Sequence, residues 1–239
     1  MDLKKLSSLQ QQLAKQVIIP NEDHRFKSND LIFSLDIQYK DNIAFVGLDI
    51  QTYAGEIIGT YVEKTSVDME YIPQFFCFRE GPPLLEIIQL VQKKLHLNPD
   101  LLIVDGHGIA HPRRFGVACW LGVQTNLPVI GCAKRSLLPY QGILADKRGS
   151  CLEVFFKQEV VGKVLRTQDN VKPVFVSVGN KITLNTAINI ILQLSPKYRI
   201  CEPLRRADQM ARTYAKNVSI VKTPDYFKPY SKIVLTILK

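Results

Sequence analysis

Residues Leu101 to Arg114 read Leu-Leu-Ile-Val-Asp-Gly-His-Gly-Ile-Ala-His-Pro-Arg-Arg, and this stretch decides the architecture. Its apolar run predicts a buried strand with Asp105 at the end. Gly106 and Gly108 then predict a sharp backbone turn. His107 and His111 follow, and Arg113 and Arg114 close the segment. A carboxylate delivered to the exposed end of a buried strand, beside positive charge, suits a site for a metal ion and a phosphate.

Working outward, Leu31–Ile37 reads as a buried strand ending near Asp36, and Ile43–Ile50 and Glu56–Val62 as two more. The Ala54-Gly55 turn between the last two predicts antiparallel pairing. Pro82-Pro83 marks the expected start of a helix whose apolar face is Leu84, Leu85, Ile87, Ile88, Val91 and Leu95, which places Glu80 just before it. A small helix over Phe115–Thr125 and a short strand at Val129-Ile130 come next, then a basic loop over Gly131–Gly149. Cys151–Phe156 and Val160–Leu165 read as a hairpin, Val174–Val178 as a strand, and Thr183–Leu194 and Pro203–Asn217 as helices. Leu3, Leu6, Leu9, Leu13 and Val17 recur at helical spacing and predict an amphipathic packing helix. Antiparallel strands followed by helix–strand alternation indicate a single α/β domain with a mixed sheet flanked by helices.

The chain has 239 residues, a formal net charge of +9 and 46% apolar residues. A chain of this size buries roughly 70% of its unfolded surface and needs no staples. Its positive charge favours a polyanionic partner, most often nucleic acid. Cys77, Cys119, Cys132, Cys151 and Cys201 include no Cys-x-x-Cys pair. That argues for a reducing compartment and against a disulfide framework or a structural zinc site. No secretory h-region and no apolar run of about 18 residues is present, so a cytoplasmic protein with no membrane partner is expected. There is no G-x-G-x-x-G after a strand and no Walker loop, which excludes the usual dinucleotide and P-loop enzymes.

Acids at strand ends and helix starts can converge on one edge of a sheet, and Asp36, Glu80, Asp105 and Asp208 are candidates for this; the alternative for any one of them is a solvated turn residue or a cap. Such a cluster repels itself unless cations sit in it. Hard divalent ions accept these oxygen ligands and support phosphodiester cleavage. His107 and His111 are four apart, but the intervening glycines and Pro112 oppose the regular helix a zinc pair would need. His111 suits a hydrogen bond to a water or a phosphate, and His107 either that or a structural bond. Lys134 is read as a charge that steadies a scissile phosphate. The alternative is a solvated loop lysine. Tyr71, ahead of Phe75, Phe76 and Phe78, is either a packing residue or a wedge that replaces an extruded base.

Together these segments resemble the endonuclease V family, inosine-directed nucleases with an RNase H-like fold. The resemblance runs from about Leu3 to Asp208. It rests on Asp105–Arg114, on Tyr71-Ile72-Pro73 through Glu80, on Gly131-Cys132-Ala133-Lys134, on Phe175–Lys181 and on Glu202–Asp208. It implies an endonuclease-like catalytic domain over residues 1–220 and a basic tail over 221–239. It implies that Asp36, Glu80 and Asp105 hold Mg²⁺ (Mg2+) or Mn²⁺ (Mn2+) with help from Asp208. His111 and Lys134 would contact the reacting phosphate or water. Tyr71 would act as the wedge, and Gly106, Ala133 and Arg113 would bind substrate. The implied reaction is hydrolysis of the second phosphodiester bond 3′ of inosine, leaving a 3′-hydroxyl and a 5′-phosphate, in DNA repair. A monomer is expected. Gln74 stands where the family commonly has glycine, and a side chain there could narrow the base pocket. Inosine in RNA, another target for the same fold, or a reader with a decayed site remain the alternatives.

Overall fold

Leu31–Lys40 forms β1, Ile43–Thr52 forms β2 and Ile57–Ser66 forms β3, an antiparallel meander. β4 (Leu101–Val104) and β5 (Val129–Ala133) then run parallel to β1. β6 (Cys151–Phe156), β7 (Glu159–Leu165) and β8 (Val174–Asn180) complete an eight-stranded mixed sheet in the order β3-β2-β1-β4-β5-β8-β7-β6. Among the described residues five helices flank it: α1 (Leu3–Ala14), α2 (Phe76–Leu95), α3 (Val117–Thr125), α4 (Leu184–Gln193) and α5 (Glu202–Asn217). The computed structural model describes residues 3–67 and 69–217. The basic tail read over 221–239 lies outside these residues. Among them, no helix is long and apolar enough to cross a membrane.

β1, β4 and β5 are buried through their middles, because a parallel sheet centre is covered on both faces. Their Ile, Leu, Val and Phe side chains form one core with α2 and α3. A smaller apolar cluster of Phe45, Val62, Met210 and Ala211 seats α5 on the sheet. Gly47 permits that approach, since a Cβ there would lie 2.1 Å from the Ala207 carbonyl oxygen. All five cysteines are free, as the scattered spacing predicts.

Several sequence-based boundaries shift. β1 does not end near Asp36 but continues four residues to Lys40, held by its antiparallel partner β2. What ends beside Asp36 is the neighbouring strand β4. Nor does Glu80 precede its helix: α2 begins at Phe76 and carries Pro82 and Pro83 inside. Those prolines remove the donors for the Phe78 and Arg79 carbonyls, normally a cost of about 3 kcal/mol or more at an interior position. Burial of Cys77, Pro83, Leu84, Ile87, Ile88 and Val91 keeps the helix intact through them. β5 extends to Ala133, so the expected basic loop begins only at Lys134.

The chain bends at the two glycines after Asp105, as expected, and they have a second part to play. Neither has a positive φ. They are needed for close approach: a Cβ on Gly108 would meet the Val178 carbonyl oxygen at 1.9 Å, and one on Gly106 would meet a Val117 methyl at 2.4 Å. The segment lies flat against β8, where the Gly108 amide donates to Ser177 Oγ at 2.8 Å and the Ile109 amide to the Val178 carbonyl at 2.8 Å.

Candidate active site

Parallel pairing in register places Leu35 level with Val104, so Asp36 and Asp105 fall side by side where β4 stops. A cavity of about 380 Å³ opens there. Asp36, Gln38, Gln74, Phe76, Glu80 and Asp105 contribute to its lining. So do Gly106, His107, His111, Ala133 and Lys134. Segments more than a hundred residues apart in sequence thus meet around one space.

The electrostatics of the cavity are those of crowded carboxylates. Burial holds the Asp36 carboxyl well above its ordinary range, and repulsion from Asp105 and Asp208 adds to this while Lys134 opposes it. Burial pushes Glu80 up to about 8, again with repulsion from Asp105. Lys134 answers these charges. Its ammonium donates to Asp105 Oδ2 and lies 3.8 Å from Asp36 Oδ2. Burial alone would lower the lysine, but Asp105 and Asp36 outweigh it and hold its proton more tightly. Among the described residues no three acidic, histidine or cysteine side chains stand together as a preformed metal cage. The carboxylates share the cavity with a lysine among them.

Asp208 does not line the cavity but sits behind it on α5. Gln38 Nε2 donates to its Oδ1 at 2.8 Å, and Arg212 pairs with it one turn on. α5 is anchored by Arg206, whose guanidinium makes a bidentate pair with Asp49, a fully buried carboxylate on β2. Gln38 is a site residue the sequence reading passed over. Its signal was strand periodicity, since residues two apart share a face and Asp36 was already singled out.

His111 is tied down on both ring nitrogens. Nε2 donates to the Gln74 carbonyl (3.1 Å) and Nδ1 accepts from the Arg113 amide (3.1 Å). Burial, reinforced by nearby Arg113 and His107, lowers its pKa to about 4, so the ring is neutral. His107 shares a hydrogen bond with the Arg135 backbone, and burial lowers its pKa too. Its Nδ1 is buried without a partner.

Arg113 is not part of the cavity lining. Its guanidinium covers the Phe75 ring at 4.1 Å and donates to Gln10 Oε1 (2.5 Å), Gln74 Oε1 (3.2 Å) and the Gln74 carbonyl (2.8 Å). Gln74 has a φ of +68°, a left-handed conformation that costs a non-glycine residue about 1–2 kcal/mol. These bonds hold it there. Tyr71 is 58% exposed and stands edge-on to Phe76, a cavity residue, with ring centroids 4.6 Å apart.

A mixed α/β sheet that gathers carboxylates and a lysine at the ends of its central parallel strands, in a basic chain, defines a nuclease of the RNase H-like class. The family model for endonuclease V matches residues 11–209, and the chain belongs to the endonuclease V family. It is 41% identical over 209 residues to the endonuclease V of Dictyoglomus thermophilum, covering 87% of each chain. It is also similar to the solved endonuclease V of Streptomyces avermitilis (34% identity, TM-score 0.81, 91% of this chain and 95% of that one). A third relative, Ciona intestinalis endonuclease V (26% identity, TM-score 0.77, 90% and 98% coverage), was solved with a 24mer DNA containing an inosine followed by a ribo-adenosine.

Proposed function

We propose that this endonuclease recognises inosine in nucleic acid and hydrolyses the second phosphodiester bond on its 3′ side, leaving a 3′-hydroxyl and a 5′-phosphate. The observation that carries this reading is the meeting of Asp36, Glu80, Asp105 and Lys134 around one cavity. The donor set fits a hard divalent ion. All three acids offer oxygen, and burial with repulsion from Asp105 raises Asp36 and Glu80, a strain that a cation among them would relieve. Asp36, Glu80 and Asp105 would hold Mg²⁺ or Mn²⁺, with Asp208 assisting. That ion would supply charge stabilisation for the attacking and leaving oxygens.

The chain's own groups do the rest. Lys134 carries a tightly held proton at the cavity and stabilises the negative charge that grows on the phosphate. Gly106 and Ala133 line the space for an extruded base. Tyr71 fills the gap the base leaves. Extrusion costs a few kcal/mol, and stacking returns about 1–3 kcal/mol per base. Neutral His111 and the Arg113 guanidinium hold the Gln74 corner of the cavity wall. The protein acts as a cytoplasmic monomer in DNA repair on this reading.

A ribo-adenosine after the inosine in the Ciona complex favours a second reading, inosine in RNA. One experiment tests both. Matched DNA and RNA strands with a single inosine are incubated with Mg²⁺, Mn²⁺ or chelator, and the nicked ends are mapped. Cleavage one nucleotide beyond the inosine, with metal only, is expected. Equal cleavage of inosine-free strands would overturn the reading.

A further inference from the structure

We propose that Gln10, on the N-terminal helix α1, is a positioning residue for base selection. Its carboxamide lies behind the cavity wall and fixes the Gln74 corner from which the Tyr71–Pro73 segment departs.

The buried residue of α1 is a polar one. Gln10 is 0% exposed, while Leu3 and Leu9 on the same helix are 49% and 43% exposed. Packing alone would place an apolar side chain in that position, because a buried amide is costly unless every group is paired. Here the pairing is dense. Gln10 Nε2, with two hydrogens to give, lies within hydrogen-bond reach of the Phe115 carbonyl (2.6 Å), the Gln74 carbonyl (3.2 Å) and Cys77 Sγ (3.6 Å). Gln10 Oε1 accepts from Arg113 Nε at 2.5 Å. A carboxamide supplies donors and acceptors together, which neither a leucine nor a glutamate can do.

The partners of Gln10 are the cavity wall. Gln74 and Cys77 line the cavity, and Phe115 precedes Gly116 and Val117, which also line it. The Gln74 carbonyl takes bonds from Gln10, His111 and Arg113 at once. Gln74 therefore holds its left-handed turn through bonds from α1 and from the loop after Asp105. Two residues further on, α2 starts at Phe76 and leads to Glu80. Gln10 sits where one side chain sets the spacing between the wedge segment, the base space and the helix that carries Glu80. A loosened corner admits the wrong base and slows entry of the right one, because the wall that sorts the bases is no longer preorganised.

This inference rests on the reading of the cavity as an inosine-selective site. Its test uses the full chain carrying Gln10→Met, which keeps length and loses both polar atoms. Gln10→Glu keeps an acceptor for Arg113 and loses the donors. Thermal melting confirms folding. Single-turnover cleavage then compares strands holding inosine or adenosine at the same position, and 2-aminopurine beside the inosine reports base extrusion. Selectivity for inosine is expected to fall roughly tenfold in Gln10→Met. The loss should lie in the half-saturating concentration and in the extrusion signal, while the cleavage rate at saturation changes little. Unchanged selectivity and extrusion in a folded variant overturn the role of Gln10, as does failure of both variants to fold, which assigns the residue to stability alone. A wild-type chain that nicks no inosine strand overturns the underlying reading instead.

Discussion

The Asp105 amide donates to the Leu35 carbonyl at 3.1 Å, one peptide beyond the last paired residues of β1 and β4. This bond carries the parallel register to the residue where β4 ends, and so sets Asp105 beside Asp36. Neither carboxylate is placed by its own side chain; the sheet places both.

Because the backbone does the placing, Asp36→Asn and Asp105→Asn should leave the fold intact. Each is expected to lower kcat on inosine strands by at least about a hundredfold. The metal-free Asp36→Asn variant should melt no lower than wild type, since one of two repelling groups is gone. Cleavage kinetics and circular dichroism check both halves. Full activity in either variant would remove the assigned centre.

Lys134 has two tasks, and one substitution separates them. Lys134→Ala should cut kcat by about a hundredfold through loss of phosphate stabilisation. It should also destabilise the metal-free protein only modestly, by about 1 kcal/mol, because the ammonium is 43% exposed and its attraction to Asp105 is screened. Urea titration with chelator measures the second effect. A loss of several kcal/mol would mean that the lysine is chiefly structural.

Glu80 gives the stability a pH dependence of known sign. Burial, then repulsion from Asp105, holds it at about 8 against an ordinary 4.5. The folded chain keeps a proton that the unfolded chain would release. The stability this contributes is full below pH 4.5 and is lost as pH rises toward 8. His111, lowered to about 4 from 6.5, acts in the opposite sense but only below pH 6.5. Melting of chelated protein should therefore fall between pH 6.5 and 8, and Glu80→Gln should flatten that fall. Asp36 retains part of the slope, since its carboxyl is raised as well. An identical slope in the variant would contradict the buried, protonated Glu80.

Arg206→Ala tests the anchor of α5. Asp49 is fully buried, and losing its bidentate partner leaves Thr60 Oγ1, at 2.7 Å, to compensate it. Stripping a buried pair of one member costs about 3–5 kcal/mol. Denaturant midpoints should show that loss, and Asp49→Asn combined with Arg206→Ala should recover part of it. No recovery would place the cost elsewhere.

Gly108→Ala should be nearly as severe, at about 3 kcal/mol, because its Cβ would press within 1.9 Å of the Val178 carbonyl oxygen. A variant with native stability would show that the loop after Asp105 yields easily.

The sequence by itself determined the elements and the cast of chemistry. Apolar periodicity marked β1, β4 and the apolar face of α2, and the residues around Asp105 pointed to the family, because those signals are local. It did not reveal the close packing that Gly106 and Gly108 permit, and it misjudged the start of α2 at the prolines and the end of β1 at Asp36. In each case the deciding partner lies far along the chain: β8 presses on Gly108, core burial carries α2 through its prolines, and β2 extends β1. Tertiary structure alone decided that Gln38 joins the cavity lining, that Asp208 accepts from Gln38 outside that lining, and that Arg113 turns away from the cavity to grip Gln74 with Gln10. Local pattern cannot encode these contacts. They arise where packing brings separate segments to the same few ångströms, and there the cost of leaving a buried polar group unpaired selects one arrangement.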